Sequence, residues 1–526
     1  MKLLRLLPLL AILFQQCVAY RILAIIPFAG KSHYILTQSI VKELAVRGHH
    51  VTVVTTFSEK NPPATYKEVI VDKKEIWDFM GEAPDIYALE AVRLEDMLSL
   101  VWDGVQFTTQ TAFNSTTLQD FIDNDNSHFD LIFAEVFYQE SMYMFSYKYK
   151  APIIGISTMG FQQSIGAAQG NPLVVPYMTH EFLNFGKKLT FCERVENLYS
   201  TTYDLFWRHF YLFPMHQKMA EKHFKKLPQP LPQLEDIERN NISMVFINTH
   251  FSYDLVRPYV PSIVEIGGVH IKPAKKLPEN LQKFLDGAKD GAIYFSFGTN
   301  VKSKDMPKEK VAIFLNVFKQ LKQRVIWKWE DDKLADKPAN VLIAKWLPQN
   351  DILAHPNVKL FITHGGLLST QETIYHGVPI VGFPFYGDQF LNMQKVEQIG
   401  YGVKMSFAKL TEKTFTTTLK EVLTNPKYIT KVKDLSVRFK DRQNSAMDSA
   451  IYWIEYVIRH KGAPFMKSPI AELNWFEFHL IDIAALIIVS VILALLILFL
   501  LVRTVFKLTK GSQSQSNKNL QSKKRQ

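Results

Sequence analysis

Apolar runs of strand length alternate with amphipathic stretches of helix length along most of this chain. RILAIIPF (21–28) is continuous and apolar. A short loop, AGKSH (29–33), follows, and then Ile35, Leu36, Ile40, Val41 and Leu44 recur at the spacing of one helix face. VTVVTTF (51–57) returns as a second strand. A strand–helix–strand unit predicts a parallel sheet, because parallel neighbours must be joined by a crossover. Further strands are predicted at 131–134, 153–157 and 244–248. A proline- and lysine-rich segment at 270–278 then breaks the pattern and predicts a linker. Beyond it the alternation resumes, with strands at 292–297, 325–329, 341–344, 359–363 and 380–383 and a helix at 308–321.

Two alternating halves predict an α/β fold of two doubly wound sheets, spanning 20–269 and 279–479 and facing across a cleft. Ligands in such sheets bind beyond the carboxyl ends of the strands. The chain ends break this pattern differently. Lys2 and Arg5, an apolar run from Leu6 to Phe14, and small residues at Cys17 and Ala19 predict a signal peptide over 1–19. That run is too short to cross about 30 Å of hydrocarbon. The uncharged stretch from Ile483 to Val502 has the required length and predicts a transmembrane helix over 480–502. Trp475, Phe476 and Phe478 precede it as an aromatic belt. Arg503, Lys507 and Lys510 follow it, which places the tail 503–526 in the cytosol. Lys523 and Lys524 resemble a dilysine retrieval signal. The predicted arrangement is a single-pass, type I protein of the endoplasmic reticulum membrane with its body in the lumen.

Charge changes the picture little. Of the net +11, Lys2 and Arg5 carry two and the seven basic residues after Val502 carry seven, which leaves +2 for the body. A nearly neutral body argues against nucleic acid as a partner. Cys17 leaves with the signal, so Cys192 stands alone and no intrachain disulfide is expected. Asn114 (Asn-Ser-Thr) and Asn241 (Asn-Ile-Ser) are candidate N-glycosylation sites in a lumenal body.

The densest chemistry lies at 346–389, WLPQNDILAHPNVKLFITHGGLLSTQETIYHGVPIVGFPFYGDQ. One indole, two glycine-bearing turns, an isolated glutamate and a terminal Asp-Gln pair stand at predicted strand-to-helix junctions. Stacking, backbone amides and hydroxyl-directed carboxylates are the means of holding a nucleotide diphosphate sugar. The block, the alternation and the cleft together resemble the UDP-glycosyltransferases, a membrane-bound family with two facing Rossmann-like domains (the GT-B type). The likeness covers essentially the whole chain, and NDILAHPNVKLFITHGG looks closest to the arthropod branch.

The resemblance implies inverting transfer of a hexose, glucose by branch, from a UDP-sugar to a small lipophilic acceptor of the kind cleared in detoxification. The UDP-sugar is a co-substrate; neither a bound metal nor a cofactor is implied. Trp346 would stack on the uracil and Gln349 would meet the nucleotide's polar edge. His364, Gly365 and Gly366 would lead into a helix whose free amides receive the diphosphate, with Ser369 adding a hydroxyl. Glu372 would take the ribose hydroxyls, and Asp388 and Gln389 those of the sugar. Gly298 and Thr299 would approach the phosphates from the FSFGT turn. Leu368 departs from the plant pattern, which carries asparagine there.

The base implied by the family falls on His33, in the loop after the first strand, with Ser32 as N-cap of the next helix. A helix N-terminus disfavours imidazolium, which suits a base. The family's partner aspartate falls on Glu135, in FDLIFAEVF; Asp130 lies about 16 Å away along an extended strand, at the wrong edge of the sheet. The aromatic and basic segment 203–226 fits either the acceptor cleft or a membrane surface. UDP-glucuronic acid is the rival donor; no extra arginine near Asp388 and Gln389 announces a carboxylate-bearing sugar, though one from elsewhere could. A catalytically weak chain that binds lipophiles or partners an active relative is the rival from another class. Acceptor identity and any homo- or hetero-oligomer are not legible.

Overall fold

The computed structural model describes residues 19–72, Tyr87, 94–186 and 188–523. The predicted signal peptide up to Val18 and the retrieval motif beyond Lys523 lie outside the described residues. The chain divides into two units, Met1–Ser468 and Pro469–Gln526.

The first unit contains two parallel sheets. Seven strands build the first: β1 (Arg21–Ile26), β2 (His50–Thr55), β3 (Tyr66–Ile70), β4 (Leu131–Glu135), β5 (Ile153–Ser157), β6 (Ile242–Ile247) and β7 (Ile263–Glu265). Their spatial order is β3-β2-β1-β4-β5-β6-β7. Six strands build the second: β8 (Ala292–Ser296), β9 (Arg324–Lys328), β10 (Val341–Ala344), β11 (Val358–Thr363), β12 (Ile380–Gly382) and β13 (Gly402–Lys404). These run in the order β10-β9-β8-β11-β12-β13. The chain therefore reverses its winding between β1 and β4 in one sheet and between β8 and β11 in the other. At such switch points the loops leaving neighbouring strands part in opposite directions and open a crevice. His33 and Glu135 follow the first pair; Gly298 and His364 follow the second.

The predicted strands are present within a residue or two of their expected bounds, and three further strands, β3, β7 and β13, lie at or beside sheet edges. These are short, and their half-polar sequences (YKEVI, IVE, GVK) lack the apolar run that marks a central strand. Alternation in β1 sends Leu23 and Ile25 to one core and Ile22, Ala24 and Ile26 to the other.

One crossing is not visible in the pattern. The helix Ala446–Arg459 leaves the second sheet and buries Ala450, Ile451, Ile454 and Val457 against Ile22, Leu36, Ile40 and Val41. The expected span 279–479 therefore does not stay with its own sheet. Full burial of each such aliphatic chain is worth about 1.5–3 kcal/mol, enough to fix the return.

In the second unit, Ile481–Lys523 is one helix. Its segment Ile481–Ser512 contains an 18-residue window of mean hydropathy 3.5, none of it buried, which makes the helix long and apolar enough to cross a membrane.

Candidate active site

The first sheet contributes side chains from the ends of three neighbouring strands. After β1 the chain enters the helix Lys31–Val46, whose N-cap is Gly30 and not the expected Ser32. A Cβ on Gly30 would lie 2.6 Å from the Phe28 ring and 3.0 Å from His33. Only glycine permits that approach, and it lets the helix begin early enough to place His33 in its first turn and not in a loop. Unpaired amides there supply a positive potential.

His33 Nδ1 lies 2.5 Å from Oε1 of Glu135, the last residue of β4. Thr158, just beyond β5, sets its Oγ1 2.8 Å from that carboxylate oxygen and 2.8 Å from His33 Nδ1. A carboxylate can only accept, so both the Thr158 hydroxyl and the His33 Nδ1–H donate to Glu135. That tautomer leaves the lone pair on Nε2. Phe28 and Phe137 pack on the imidazole, with ring centroids 4.6 and 4.9 Å away. Asp130 sits at the opposite strand end, where its Oδ2 accepts from the Arg21 amide at 2.8 Å.

The second sheet contributes mostly backbone. Gly298 has φ +82°, and a Cβ there would fall 2.6 Å from His364; one on Gly366 would fall 2.5 Å from the same ring. The imidazole is thus held between two glycine backbones. Gly366 caps the helix Leu367–His376 without a side-chain bond, so the first amides of that helix remain open to an anion. Burial, with the charge of Lys328, lowers the His364 imidazole to about 4, so it is neutral at pH 7. Thr299 donates to Asn300 Oδ1 at 3.3 Å, beside the same turn.

Trp346 is 65% exposed, which excludes a role in the core and leaves its indole face open for stacking. Gln349 Nε2 donates to Ser369 Oγ at 2.9 Å and to Glu372 Oε2 at 2.5 Å. Burial raises the Glu372 carboxyl to about 7 against that hydrogen bond. Asp388 is the N-cap of the helix Gln389–Ile399 and accepts from Asn392 Nδ2 at 2.9 Å. Its carboxyl is raised by burial and drawn back by Asn392 and by the charges of His33 and Lys395. Gln389 spends its Oε1 on the Phe385 and Tyr386 amides, at 2.9 and 3.4 Å.

Two switch-point crevices, one with a histidine–carboxylate pair and one with glycine turns at an open helix start, are the layout of a two-domain sugar transferase. The family model for UDP-glucoronosyl and UDP-glucosyl transferase matches residues 21–516. The chain belongs to the UDP-glycosyltransferase family. It is similar to UDP-glycosyltransferase UGT5 of Dactylopius coccus, 32% identical with 91% of each chain covered. It is also similar to UDP-glucuronosyltransferase 2A3 of Mus musculus, 28% identical over 88% of each. Among solved structures it resembles CalG4, the calicheamicin glycosyltransferase, at 15% identity and a TM-score of 0.56, covering 84% of this chain and 99% of that one. The last likeness bears on the fold, which is the GT-B arrangement.

This UDP-glycosyltransferase moves a glycosyl group from a UDP-sugar, and polar contacts join its two halves beside the apolar packing of Ala446–Arg459. Gln371 Nε2 donates to Asn248 O, to Asn248 Oδ1 and to the Tyr253 hydroxyl at 3.0, 2.9 and 2.6 Å. Leu368 packs against the core of the first sheet, and its carbonyl accepts from His270 Nε2 at 3.3 Å. The departure from asparagine at 368 thus serves the contact between halves. Beside these, Asp388 shares a crevice with Asp254, Arg257 and Lys395. Lys395 Nζ lies 2.6 Å from Asp254 Oδ1, and the Arg257 guanidinium 3.3 Å from Oδ2. Burial would raise the Asp254 carboxyl, but Arg257 and Lys395 overcome it and hold it well below the carboxylate range.

Sequence reasoning missed Thr158, Gln371 and the Asp254–Arg257–Lys395 set. None carries a local motif, since each acts across strands or across sheets. The two sequons lie away from the crevice residues in different settings. Asn114 is exposed at the end of its helix, whereas Asn241 donates its amide nitrogen to Ser146 Oγ at 2.9 Å.

Proposed function

We propose that this transferase moves glucose, with inversion, from UDP-glucose to a hydroxyl of a small lipophilic acceptor. The observation that carries the reading is the His33–Glu135–Thr158 set. His33 Nε2 takes the acceptor's proton as its oxygen attacks the anomeric carbon, and UDP departs from the opposite face. Glu135 stabilises the imidazolium that forms, in the manner of hydrolase triads. The diphosphate, gaining charge as it leaves, lies at the start of the helix Leu367–His376 between the turns of Gly298 and Gly365–Gly366. Trp346 stacks on uracil, with Gln349 beside it and Ser369 near the phosphates. Glu372 takes the ribose, and Asp388 and Gln389 the sugar hydroxyls. The reaction needs no bound metal in this scheme. The short Glu135–His33 contact speaks against an inactive chain that serves only as a partner subunit.

Donor choice follows from charge. Arg257 and Lys395 stand beside Asp388, as a carboxylate-bearing sugar would require. Asp254 is already ion-paired with both. A glucuronate arriving there would have to compete with a buried, doubly paired carboxylate, whereas glucose need not. We place the body in the lumen of the endoplasmic reticulum, behind a cleaved signal and a single C-terminal span, with a glycan on Asn114.

The test is product formation in microsomes that express the full chain, with phenolic acceptors and either donor. Glucoside formation lost in His33→Ala supports the scheme. Glucuronide as the main product overturns the donor assignment and leaves the base intact. The variant Asp254→Asn, which frees Arg257 and Lys395, is expected to raise relative use of UDP-glucuronic acid.

A further inference from the structure

The helix Phe191–Trp207 turns a polar side inward and buries Asn197, Ser200, Thr201 and Asp204. Two of these are well satisfied. Asn197 Nδ2 donates to Val175 O and Met178 O at 2.7 and 2.9 Å, and Thr201 donates to Gln163 Oε1 at 2.5 Å. Asp204, 1% exposed, is the exception: neither of its carboxylate oxygens has a hydrogen-bond partner among the described residues. Beside it lie His180 and Glu181, 0% and 3% exposed, whose Nε2 and Oε1 are equally unpartnered. One nitrogen or oxygen from each of the three lies within 4.8 Å of the others. His180 Nε2 is 3.6 Å from Asp204 Oδ2 and 3.9 Å from Glu181 Oε2, both beyond hydrogen-bond reach. Carboxylate oxygens left open at this depth are costly.

This set stands at one end of an aromatic cluster whose other end is the base. Trp102, Phe137 and Tyr138 are buried together, with Phe28, Phe182 and Tyr203 packed against them. Ring contacts lead from His33 through Phe137 to Tyr138 and Trp102, with successive centroids 4.9, 5.6 and 6.5 Å apart. Phe182 and Tyr203 are the chain neighbours of Glu181 and Asp204. The Tyr138 hydroxyl is itself buried and unpartnered among the described residues. Burial, with the charges of Asp204 and Glu181, holds that phenol well above its ordinary range. Glu181 also lines the crevice of Asp388, together with Met159, the residue after Thr158.

A metal ion or an organic cation would satisfy two such carboxylates. The Phe182 amide donates to His180 Nδ1 at 3.3 Å, so Nε2 carries the ring proton and has no lone pair for a metal. The buried cations nearby are engaged elsewhere: Arg208 with Glu140 and Glu238, and Arg257 and Lys395 with Asp254. An ammonium brings three N–H donors, which the open oxygens of Asp204 and Glu181 can accept, and aromatic faces also favour a cation. On the sugar-transfer reading above, we propose that the acceptor is a hydroxylated, lipophilic amine. Its hydroxyl meets His33, its apolar body lies along the aromatic cluster, and its ammonium is held by Glu181 and Asp204.

The test uses the full chain, purified in detergent with UDP bound. Its ligands are 4-(ω-aminoalkyl)phenols of increasing chain length and the 4-alkylphenols of equal length. Calorimetry reads the affinity for each pair, and UDP binding by each variant confirms folding. At the best-fitting length the amine should bind about tenfold tighter than its neutral counterpart, the worth of a charge-assisted hydrogen bond. Glu181→Gln and Asp204→Asn should each bring the pair to near-equal affinity. Equal affinity at every length in the unmodified chain overturns the proposal, and so does an amine preference that survives both variants. A stoichiometric divalent metal in the purified chain, lost in both variants, also overturns it and assigns the set to that metal. Glucoside formation from UDP-glucose is followed on the same compounds. Tight amine binding without product would count against the transfer reading and not against the ammonium site.

Discussion

The two sheets of this UDP-glycosyltransferase share one topology and build their halves of the site by different means. On the second sheet, Trp346, His364, Glu372 and Asp388 lie within one block of chain, and the work of shaping falls to glycines at 298, 365 and 366. On the first sheet, His33 and Glu135 are 102 residues apart, and Thr158 is a further 23 beyond. The second sheet's half is a cradle of local backbone, and the first sheet's half is a hydrogen-bonded set assembled from three strands. A cradle can be written as a motif. An assembly exists only once the sheet has formed.

That contrast can be broken by separating chemistry from nucleotide binding. His33→Ala is expected to lower kcat by about 10²–10⁴, the contribution of a general base, with UDP affinity by calorimetry unchanged. An equal loss of UDP affinity would show that the halves are not separable in this way. Trp346→Ala is expected to do the reverse: loss of base stacking weakens UDP by about 1–3 kcal/mol, with kcat at saturating donor retained.

Thr158→Val removes a donor to a charged acceptor. At about 1.5 kcal/mol for such a bond, kcat should fall roughly tenfold with KM for the donor unmoved. A change in KM alone would reduce Thr158 to a packing role.

The smallest effect concerns pH. Burial raises the Glu372 carboxyl to about 7 in the free protein. Ribose hydroxyls donate to the carboxylate form, so binding releases a proton and affinity must rise with pH until the group is ionised. UDP affinity should therefore increase by at most about tenfold from pH 6 to pH 8 and then level off. Glu372→Gln should bind more weakly and lose the slope. A slope that survives in this variant would assign the titration elsewhere.

The halves also differ in what the sequence revealed. The block 346–389 is legible because most of its site residues stand at or near strand-to-helix junctions that periodicity locates, with Glu372 further into the helix Leu367–His376. His33 was legible, but its placement in the first turn of a helix followed from the close approach of Gly30 to Phe28, which no pattern marks. Arg257 lies 131 residues before Asp388, and Asp254 is neutral to every local rule. Their closeness to Asp388 became visible only with both sheets in place. The short strand Tyr66–Ile70 was missed because a half-polar edge carries little hydrophobic signal.

The sequence by itself determined the alternation of strand and helix, the two sheets, the long apolar C-terminal helix and the residue types gathered in the block 346–389. All of these depend on neighbours within a few turns of chain, where spacing and residue type act directly. Only the tertiary structure decided that Glu135 reaches His33 with Thr158 beside it and that Asp254 pairs with two cations next to Asp388. It alone turned Ala446–Arg459 back to the first sheet and the polar side of Phe191–Trp207 inward. These depend on pairings between distant segments, whose closeness is set by the packing of whole sheets and leaves no periodic trace along the chain.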